Sequence, residues 1–399
     1  MNFSFLKNKR FLFIVGLYLL LNVFVNILHP ITTVYVRELE LDSAFFGFFY
    51  SAMSLGQVVG SLLWGFLSDK KGRKPWMILG TIGYALSQLG FGFLNRYAIV
   101  IVLFRLLSGF FASAPITLFL SAVIDESETS SRTESLSFAA GIALLGASIG
   151  YEVGGLLHSY GGLEIPTLFL VQSGFGLVLA LLLFFFLPET RKAIAEQTIE
   201  EKPKEKKAVR LPIIVFLAFL LCLTVGQVNL SKYTDTLVID RGYSTATLGH
   251  YVFITGLLGF FANLFLIPVL KKAKNLRHER LLLLFVFVSA ILILITYNVP
   301  GDLLVMLYTS NLAYAMIKTM ITPLEQARLA KNTNDSNRGT VMGLRQSVIS
   351  IGNVIGPLVG SAVYVTGSAT IMNVSAGFLG VGFLILILDL FLERKAQKI

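Results

Sequence analysis

The sequence predicts an all-α membrane protein with twelve transmembrane helices in two six-helix halves. Three observations predict it. Twelve apolar runs are each long enough to cross a bilayer, basic residues keep to alternate loops, and a set of landmarks in the first half returns in the second. Of 399 residues, 55% are hydrophobic and 14% charged, against roughly 25% charged in soluble domains. The runs lie near 11–34, 44–67, 76–94, 98–123, 136–159, 166–187, 211–237, 245–270, 281–298, 302–325, 340–365 and 371–392. A bilayer core takes about 20 apolar residues per helix. Runs of this length exceed barrel strands, and a helix satisfies its own backbone in lipid. The first run is too long for a leader's apolar stretch and is followed by no small-residue cleavage site, so it reads as the first span.

The formal net charge of +10 would suit a nucleic-acid binder, but its placement says otherwise. Most of the 33 basic residues fall in segments on one side of the predicted spans: Lys7, Lys9 and Arg10; Lys70, Lys71, Arg73 and Lys74; Arg132; the stretches Arg191–Arg210 and Lys271–Arg280; Arg328, Lys331 and Arg338; and Arg394, Lys395 and Lys398. The opposite loops keep little beyond Arg37, Arg96 and Arg241. This positive-inside bias puts both termini in the cytoplasm of a multi-pass plasma-membrane protein. The compact length and short loops point to a bacterial one.

The same composition excludes several chemistries. A single cysteine, Cys222, allows no intrachain disulfide and no thiolate metal site. The four histidines, His29, His158, His250 and His278, are scattered without metal-ligand spacing, and no phosphate-binding Gly-rich loop is present. No enzyme activity, metal or cofactor is expected.

One charged stretch, residues 188–210, interrupts the apolar pattern and reads as a solvated cytoplasmic linker between bundles 1–187 and 211–399. The two bundles are related. Arg132, Gly146, Gly150 and Gly154 recur at one constant offset as Arg338, Gly352, Gly356 and Gly360, and Lys70-Lys71 find a weaker echo in Lys271-Lys272. Two repeated halves are a transporter pattern, with the site expected near the midplane between them.

The loop between spans 2 and 3 reads Gly65-Phe-Leu-Ser-Asp69-Lys-Lys-Gly72-Arg73-Lys74. It resembles the signature loop of the major facilitator superfamily of transporters, and the chain as a whole is most similar to the drug:proton antiporter branch. The resemblance implies that Asp69 docks on the start of span 11, where the helix dipole favours an anion. It further implies that Arg73 pairs with Asp125 at the inner end of span 4, making Gly65, Asp69, Gly72, Arg73 and Asp125 an inner gate. Span 4 carries Arg105 and Gly109, similar to the family's Arg-x-x-x-Gly element. Span 5 carries Gly146, Gly150 and Gly154, with Tyr151 where the branch has proline and Glu152 as an added acid. Span 11 keeps Gly352, Gly356, Pro357 and Gly360. These glycines permit close helix packing. The second-half loop Lys271–Arg280 lacks the glycines and the aspartate.

Three spans show polar stripes in steps of three and four, which place each set on one helix face. Span 1 has Asn22, Asn26 and His29; span 7 has Thr224, Gln227, Ser231 and Asp235, with Lys232 alongside; span 10 has Asn311, Tyr314 and Lys318. In the resembled family spans 1, 4, 7 and 10 line the substrate cavity. Interhelical hydrogen bonding is the alternative for any single Asn, Gln or Thr. Arg105 and Glu152 each lie about 10 Å in from the outer ends of their spans, so they are expected to meet and couple transport to protons, with Asp235 a second candidate. Arg105, Lys318, Arg345 and Lys232 outnumber the acids Glu152 and Asp235. The resemblance implies export of small amphiphilic compounds, of multidrug type, by proton antiport through alternating access. The alternative is a transporter or flippase for an anionic lipid-linked or phosphorylated substrate. The expected partners are a small-molecule substrate, protons and membrane lipids, with no nucleic acid, and the chain is expected to act as a monomer.

Overall fold

A computed structural model describes residues 7–41, 43–127, 132–190, 211–266, 278–331, 338–364 and 367–396. Among them the regular structure is helical throughout. Twelve helices follow in order: α1 Lys9–Glu38, α2 Ser43–Lys71, α3 Lys74–Phe93, α4 Ala98–Asp125, α5 Arg132–Ser159, α6 Ile165–Phe186, α7 Leu211–Asp240, α8 Thr245–Phe261, α9 His278–Asn298, α10 Leu303–Leu329, α11 Arg338–Tyr364 and α12 Ser368–Ala396. Eleven are long and apolar enough to cross a membrane. The other, α3, has 20 residues, enough to span. It is diluted by Thr81, Ser87, Gln88 and its glycines, so length rather than hydropathy marks it as a span.

Local sequence explains the ends and the interruptions. Asn8 caps α1 by accepting from the Arg10 and Phe11 amides at 3.0 and 3.2 Å. Asp302 caps α10 in the same way, at 2.7 Å from the Leu304 amide. α1 pauses at Ile27-Leu28 and resumes at His29, because Pro30 has no N–H to continue the ladder. Two π-turns, Ala262–Leu266 at the end of α8 and Leu307–Asn311 within α10, shift the helical register.

The chain forms two compact units, one drawn from residues 1–192 and 234–268, the other from 193–233 and 269–399. α8 and the last turns of α7 therefore belong to the first unit. Of the predicted linker 188–210, residues 191–210 lie outside the described set.

In the first unit α2 and α3 pack on α4, α1 and α8 on α5, and α3 on α6. Aromatic rings fill its core: Phe24 stands edge-on to Tyr84 at 5.2 Å, and Phe91 edge-on to Phe169 at 5.3 Å. Buried amides tie the helices where lipid offers no partner. Gln88 donates to the Gln172 side-chain carbonyl at 3.1 Å, Gln172 donates to the Phe24 carbonyl at 2.7 Å, and the Tyr84 hydroxyl donates to the Val25 carbonyl at 2.9 Å. In the second unit α9 packs against α10 and α12, and Asn229 of α7 donates to the Ser375 hydroxyl of α12 at 2.7 Å.

The duplication is physical as well as textual. Gly146, Gly150 and Gly154 of α5 lie against Leu19–Asn22, Val23–Asn26 and Ile27 of α1. Gly352, Gly356 and Gly360 of α11 lie against Thr224-Val225, Val225–Asn229 and Asn229–Tyr233 of α7. The contacted residues are themselves related by one constant offset, Asn22 with Thr224, Asn26 with Val228 and Ile27 with Asn229. Each half thus seats its fifth helix on its first through the same three glycines.

Because the position of a Cβ at Gly154 is occupied by the Ile27 backbone, Gly154→Val should destabilise the protein by about 1–3 kcal/mol through overpacking. Gly377, with no neighbour within 4 Å of its Cβ position, should tolerate alanine or gain up to about 1 kcal/mol in helix propensity. Unfolding midpoints of the purified variants check both.

Candidate functional site

The loop between α2 and α3 carries the densest charge in the first unit. α2 ends at Lys71, Gly72 turns the chain with φ +87°, and α3 starts at Lys74 with proline in its first turn. The Glu189 carboxylate occupies the space where a Gly72 side chain would be. It accepts from the Arg73 amide at 2.9 Å and the Lys74 amide at 3.2 Å, so an anion sits on the positive end of α3. The Arg73 guanidinium reaches across to Asp125 at the end of α4, at 2.8 Å. Arg10 pairs with Glu126 at 3.3 Å and donates to the Glu189 carbonyl at 3.2 Å. Five charged residues thereby tie the ends of α1, α3 and α4 to the segment after α6. Arg10, Glu126 and Glu189 were not foreseen from the sequence, although the Pro188-Glu189-Thr190 step after an apolar span was visible there.

Two residues of the expected gate do less. Asp69 is exposed, and its expected dock falls on residues 332–340, whose side chains lie outside the described set. Gly65 faces open space and accepts from the Ser68 hydroxyl at 2.8 Å.

Arg105 and Glu152 do not meet. Arg105 is 2% exposed. Its guanidinium lies 4.3 Å from the Phe49 ring and 5.5 Å from Phe91, with Nη2 2.9 Å from the Met53 sulfur. Gly109, one turn further on, abuts the Met53 carbonyl. This close approach of α4 to α2 delivers the sulfur and the Phe49 face, and α3 supplies Phe91. Glu152 instead pairs with His250 of α8, Oε1 to Nδ1 at 2.9 Å. Rise per residue fixes depth, but the rotation of α5 decides the partner. Its glycine face is given to α1, and α8 presses Gly249 onto the Tyr151–Glu152 backbone, so Glu152 points to α8.

Tyr151, which stands in place of the family's proline, acts as a bridge. Its ring stacks on His29 at 5.5 Å and its hydroxyl donates to Asp235 at 3.0 Å. Nearby, Thr245 contacts the His158 ring nitrogen and the Ser159 hydroxyl, each at 2.9 Å, and Arg37 forms an ion pair with Asp240. Three of the four histidines thus make contacts between α5 and its neighbours, His29 from α1, His158 on α5 itself and His250 from α8. Their sequence positions gave no sign of this, because each comes from a different helix.

Among the stripe residues, Asn22 and Asn26 donate back to their own helix, to the Tyr18 and Asn22 carbonyls at 2.8 Å each. They also lie against Gly146 and Gly150, so packing describes them better than a cavity lining does. In the second unit Asn311, at the end of the α10 π-turn, donates to the Tyr297 hydroxyl at 3.1 Å. Gln227 and Lys318 are half-buried. Pro357 lies inside α11 and its carbonyl accepts from the Tyr233 hydroxyl at 3.0 Å.

The second unit has its own ionic clasp. Arg328 near the end of α10 donates to Asp389 of α12 at 2.7 Å, reaches Glu279 of α9 at 3.4 Å and pairs with Glu393. Arg345 of α11 holds Glu325 of α10 through Nε at 3.1 Å. Glu279 stands at the same offset from Arg73 as the repeated glycines do from one another. The first half pairs an arginine at the start of its third helix with an acid at the end of its fourth. The second half pairs an acid at the start of α9 with an arginine near the end of α10. A search by residue type sees only a lost motif; the pair survives with its charges exchanged.

The sequence profile of the Major Facilitator Superfamily matches residues 11–326 and 277–398. The chain belongs to this superfamily. It is a multi-pass membrane transporter of that fold. Multidrug resistance protein 2 of Bacillus subtilis (strain 168) is 24% identical over 408 residues, covering 98% of this chain and 97% of its own. The multi-drug resistance efflux pump PmrA of Streptococcus pneumoniae is 25% identical over 348 residues, covering 85% of each. Among solved structures, a bacterial homolog of the human lysosomal transporter Spinster, inward-facing and occupied, superposes with a TM-score of 0.75 at 15% identity, covering 95% of this chain and 96% of that one. The human organic anion transporter MFSD10 (TETRAN) does so with a TM-score of 0.65 at 19% identity, covering 95% and 99%.

Asp389 is 0% exposed. Arg328→Leu should therefore strand its charge and destabilise the protein by about 3–5 kcal/mol, and adding Asp389→Asn should recover part of the loss. Unfolding midpoints of the single and double variants measure this.

Proposed function

We propose that this transporter exports small amphiphilic compounds, of multidrug type, by proton antiport through alternating access. It does so as a monomer in a bacterial plasma membrane, with both termini and the 188–210 linker in the cytoplasm. Bundles 1–187 and 211–399 are its two moving halves. The full-length relatives named for multidrug resistance support the substrate class, and the basic loops support the orientation.

One observation carries the coupling. The partner of Glu152 is an imidazole rather than an arginine or lysine, and its second oxygen is buried without a hydrogen bond. A carboxylate held by histidine changes its contact whenever either partner gains or loses a proton. Tyr151, its neighbour in sequence, donates to Asp235 of α7, so the proton-responsive groups lie where α7 and α8 join α5. Protonating the carboxylates weakens these contacts and frees α7 and α8 to part from α1 and α5. Deprotonation restores them. Arg105, held among aromatic rings, keeps a fixed positive charge that opposes a second cation. Arg73, Asp125 and Glu189 hold the opposite ends of the helices during the same cycle.

A second reading, movement of an anionic lipid-linked or phosphorylated substrate, draws on the positive residues. Neither Arg105 nor Lys318 has a carboxylate at ion-pair distance among the described residues.

Glu152→Gln should keep substrate binding within about threefold, because the amide preserves shape and one acceptor. It should lose transport driven by an imposed pH gradient in proteoliposomes. Undiminished gradient-driven uptake by this variant would refute Glu152 as a coupling group. Failure of the unmodified protein to move any cationic or anionic amphiphile under a gradient would refute the function itself.

A further inference from the structure

The middle of α10 holds a cation with no carboxylate at ion-pair distance among the described residues. Lys318 is half-buried within the span Leu303–Leu329. Among the described residues the acids of the second unit are engaged elsewhere: Asp302 at the start of α10, Glu325 with Arg345, and Glu279, Asp389 and Glu393 with Arg328. The charged group that acts on Lys318 is a second cation, Lys232 of α7. One turn before it on the same face, the Tyr314 hydroxyl is buried and makes no hydrogen bond among the described residues. The π-turn Leu307–Asn311 immediately precedes this pair, an irregularity frequent at functional sites.

These groups share a chemistry. An ammonium offers only donors, and the phenol has an unused O–H. A buried polar group without a partner is costly. The complementary ligand is rich in acceptors and negatively charged: a carboxylate, sulfonate or phosphate. A cationic ligand would meet repulsion from both lysines and leave the ammonium unsatisfied. In the first unit Arg105 likewise has no carboxylate at ion-pair distance among the described residues; aromatic rings and a sulfur lie against its guanidinium.

We infer that Lys318 and Tyr314 form the binding point for the acidic group of an anionic amphiphile, so that the substrate range of this transporter includes, and favours, anions. The inference rests on the transport reading above and narrows its substrate class. The acidic group can belong to a soluble compound or to a lipid headgroup.

The test uses the full-length protein in phosphatidylcholine nanodiscs, titrated with carboxyfluorescein as the anion and ethidium as the cation. Uptake of both dyes is followed in proteoliposomes. The unmodified protein should bind both and prefer carboxyfluorescein. Lys318→Gln should weaken carboxyfluorescein binding at least about tenfold, as expected for a lost charge-assisted hydrogen bond, and should tighten ethidium binding. Lys318→Arg, which keeps the charge, should stay within about threefold for carboxyfluorescein and guards against a folding defect. Tyr314→Phe should weaken the anion alone, by about three- to tenfold. Weakening of carboxyfluorescein binding by added phosphatidylglycerol would assign the point to a lipid headgroup, and no such competition would assign it to a soluble anion. Either result upholds the anionic class. An equal loss of both dyes in Lys318→Gln, or no change for carboxyfluorescein, would overturn the inference. So would binding and transport of ethidium alone by the unmodified protein, which would leave the export reading intact. Transport of neither dye would defeat both.

Discussion

A charge placed among apolar helices survives only where a neighbouring helix answers it, because the lipid solvent cannot. This constraint organises the structure more than any single contact. At one end of the first unit it joins Arg10, Arg73, Asp125, Glu126 and Glu189 into a cluster that ties α1, α3 and α4 to the segment after α6. In the second unit it gathers Glu279, Asp389 and Glu393 around Arg328. At Arg105, which has no ion-paired acid among the described residues, aromatic faces and a sulfur stand in, which holds the side chain without neutralising it. The positions with incomplete answers, Arg105, Glu152, Tyr314 and Lys318, are the ones to which substrate and protons are assigned here.

Glycines and charges play complementary parts. The glycines of α5 and α11 let backbones touch, which fixes which helices are neighbours and how each is rotated. The charges then act between partners already chosen. The two halves keep the glycine contacts nearly unchanged but exchange the signs of the ion pair between their third and fourth helices. Packing tolerates little variation in shape, whereas an ion pair forms with the acid on either helix, the helix dipoles favouring the second half's order of acid at a start and arginine near an end. Duplicated halves can therefore diverge in charge while holding their fold.

Much of this was legible in the chain. The apolar runs gave the helices, and the spacing of Gly146, Gly150 and Gly154 gave a repeat that recurs as a set of contacts. The loop residues Arg73 and Asp125 meet. What escaped has a common cause. Depth follows from counting residues, but azimuth follows from packing, so Arg105 and Glu152 were placed at one level and wrongly on facing sides. Asn22 and Asn26 looked like a cavity stripe, yet the nearest acceptors for a side chain in a helix are its own carbonyls. The separate contacts of His29 with Tyr151, His158 with Thr245 and His250 with Glu152 were invisible because they join different helices. The exchanged pair Glu279–Arg328 was hidden by the expectation that a repeat conserves residue type rather than interaction.

The central claim is that protons govern the contacts among α5, α7 and α8. Its most direct test is the distance between spin labels at Tyr160, beyond α5, and Arg241, beyond α7, measured by pulsed electron resonance in nanodiscs across a range of pH, with Cys222 replaced. The account predicts a short distance at high pH, a second and longer population as pH falls, and loss of that response when Glu152→Gln and Asp235→Asn are combined. A single pH-independent distance, or an unaltered response in the combined variant, would contradict it.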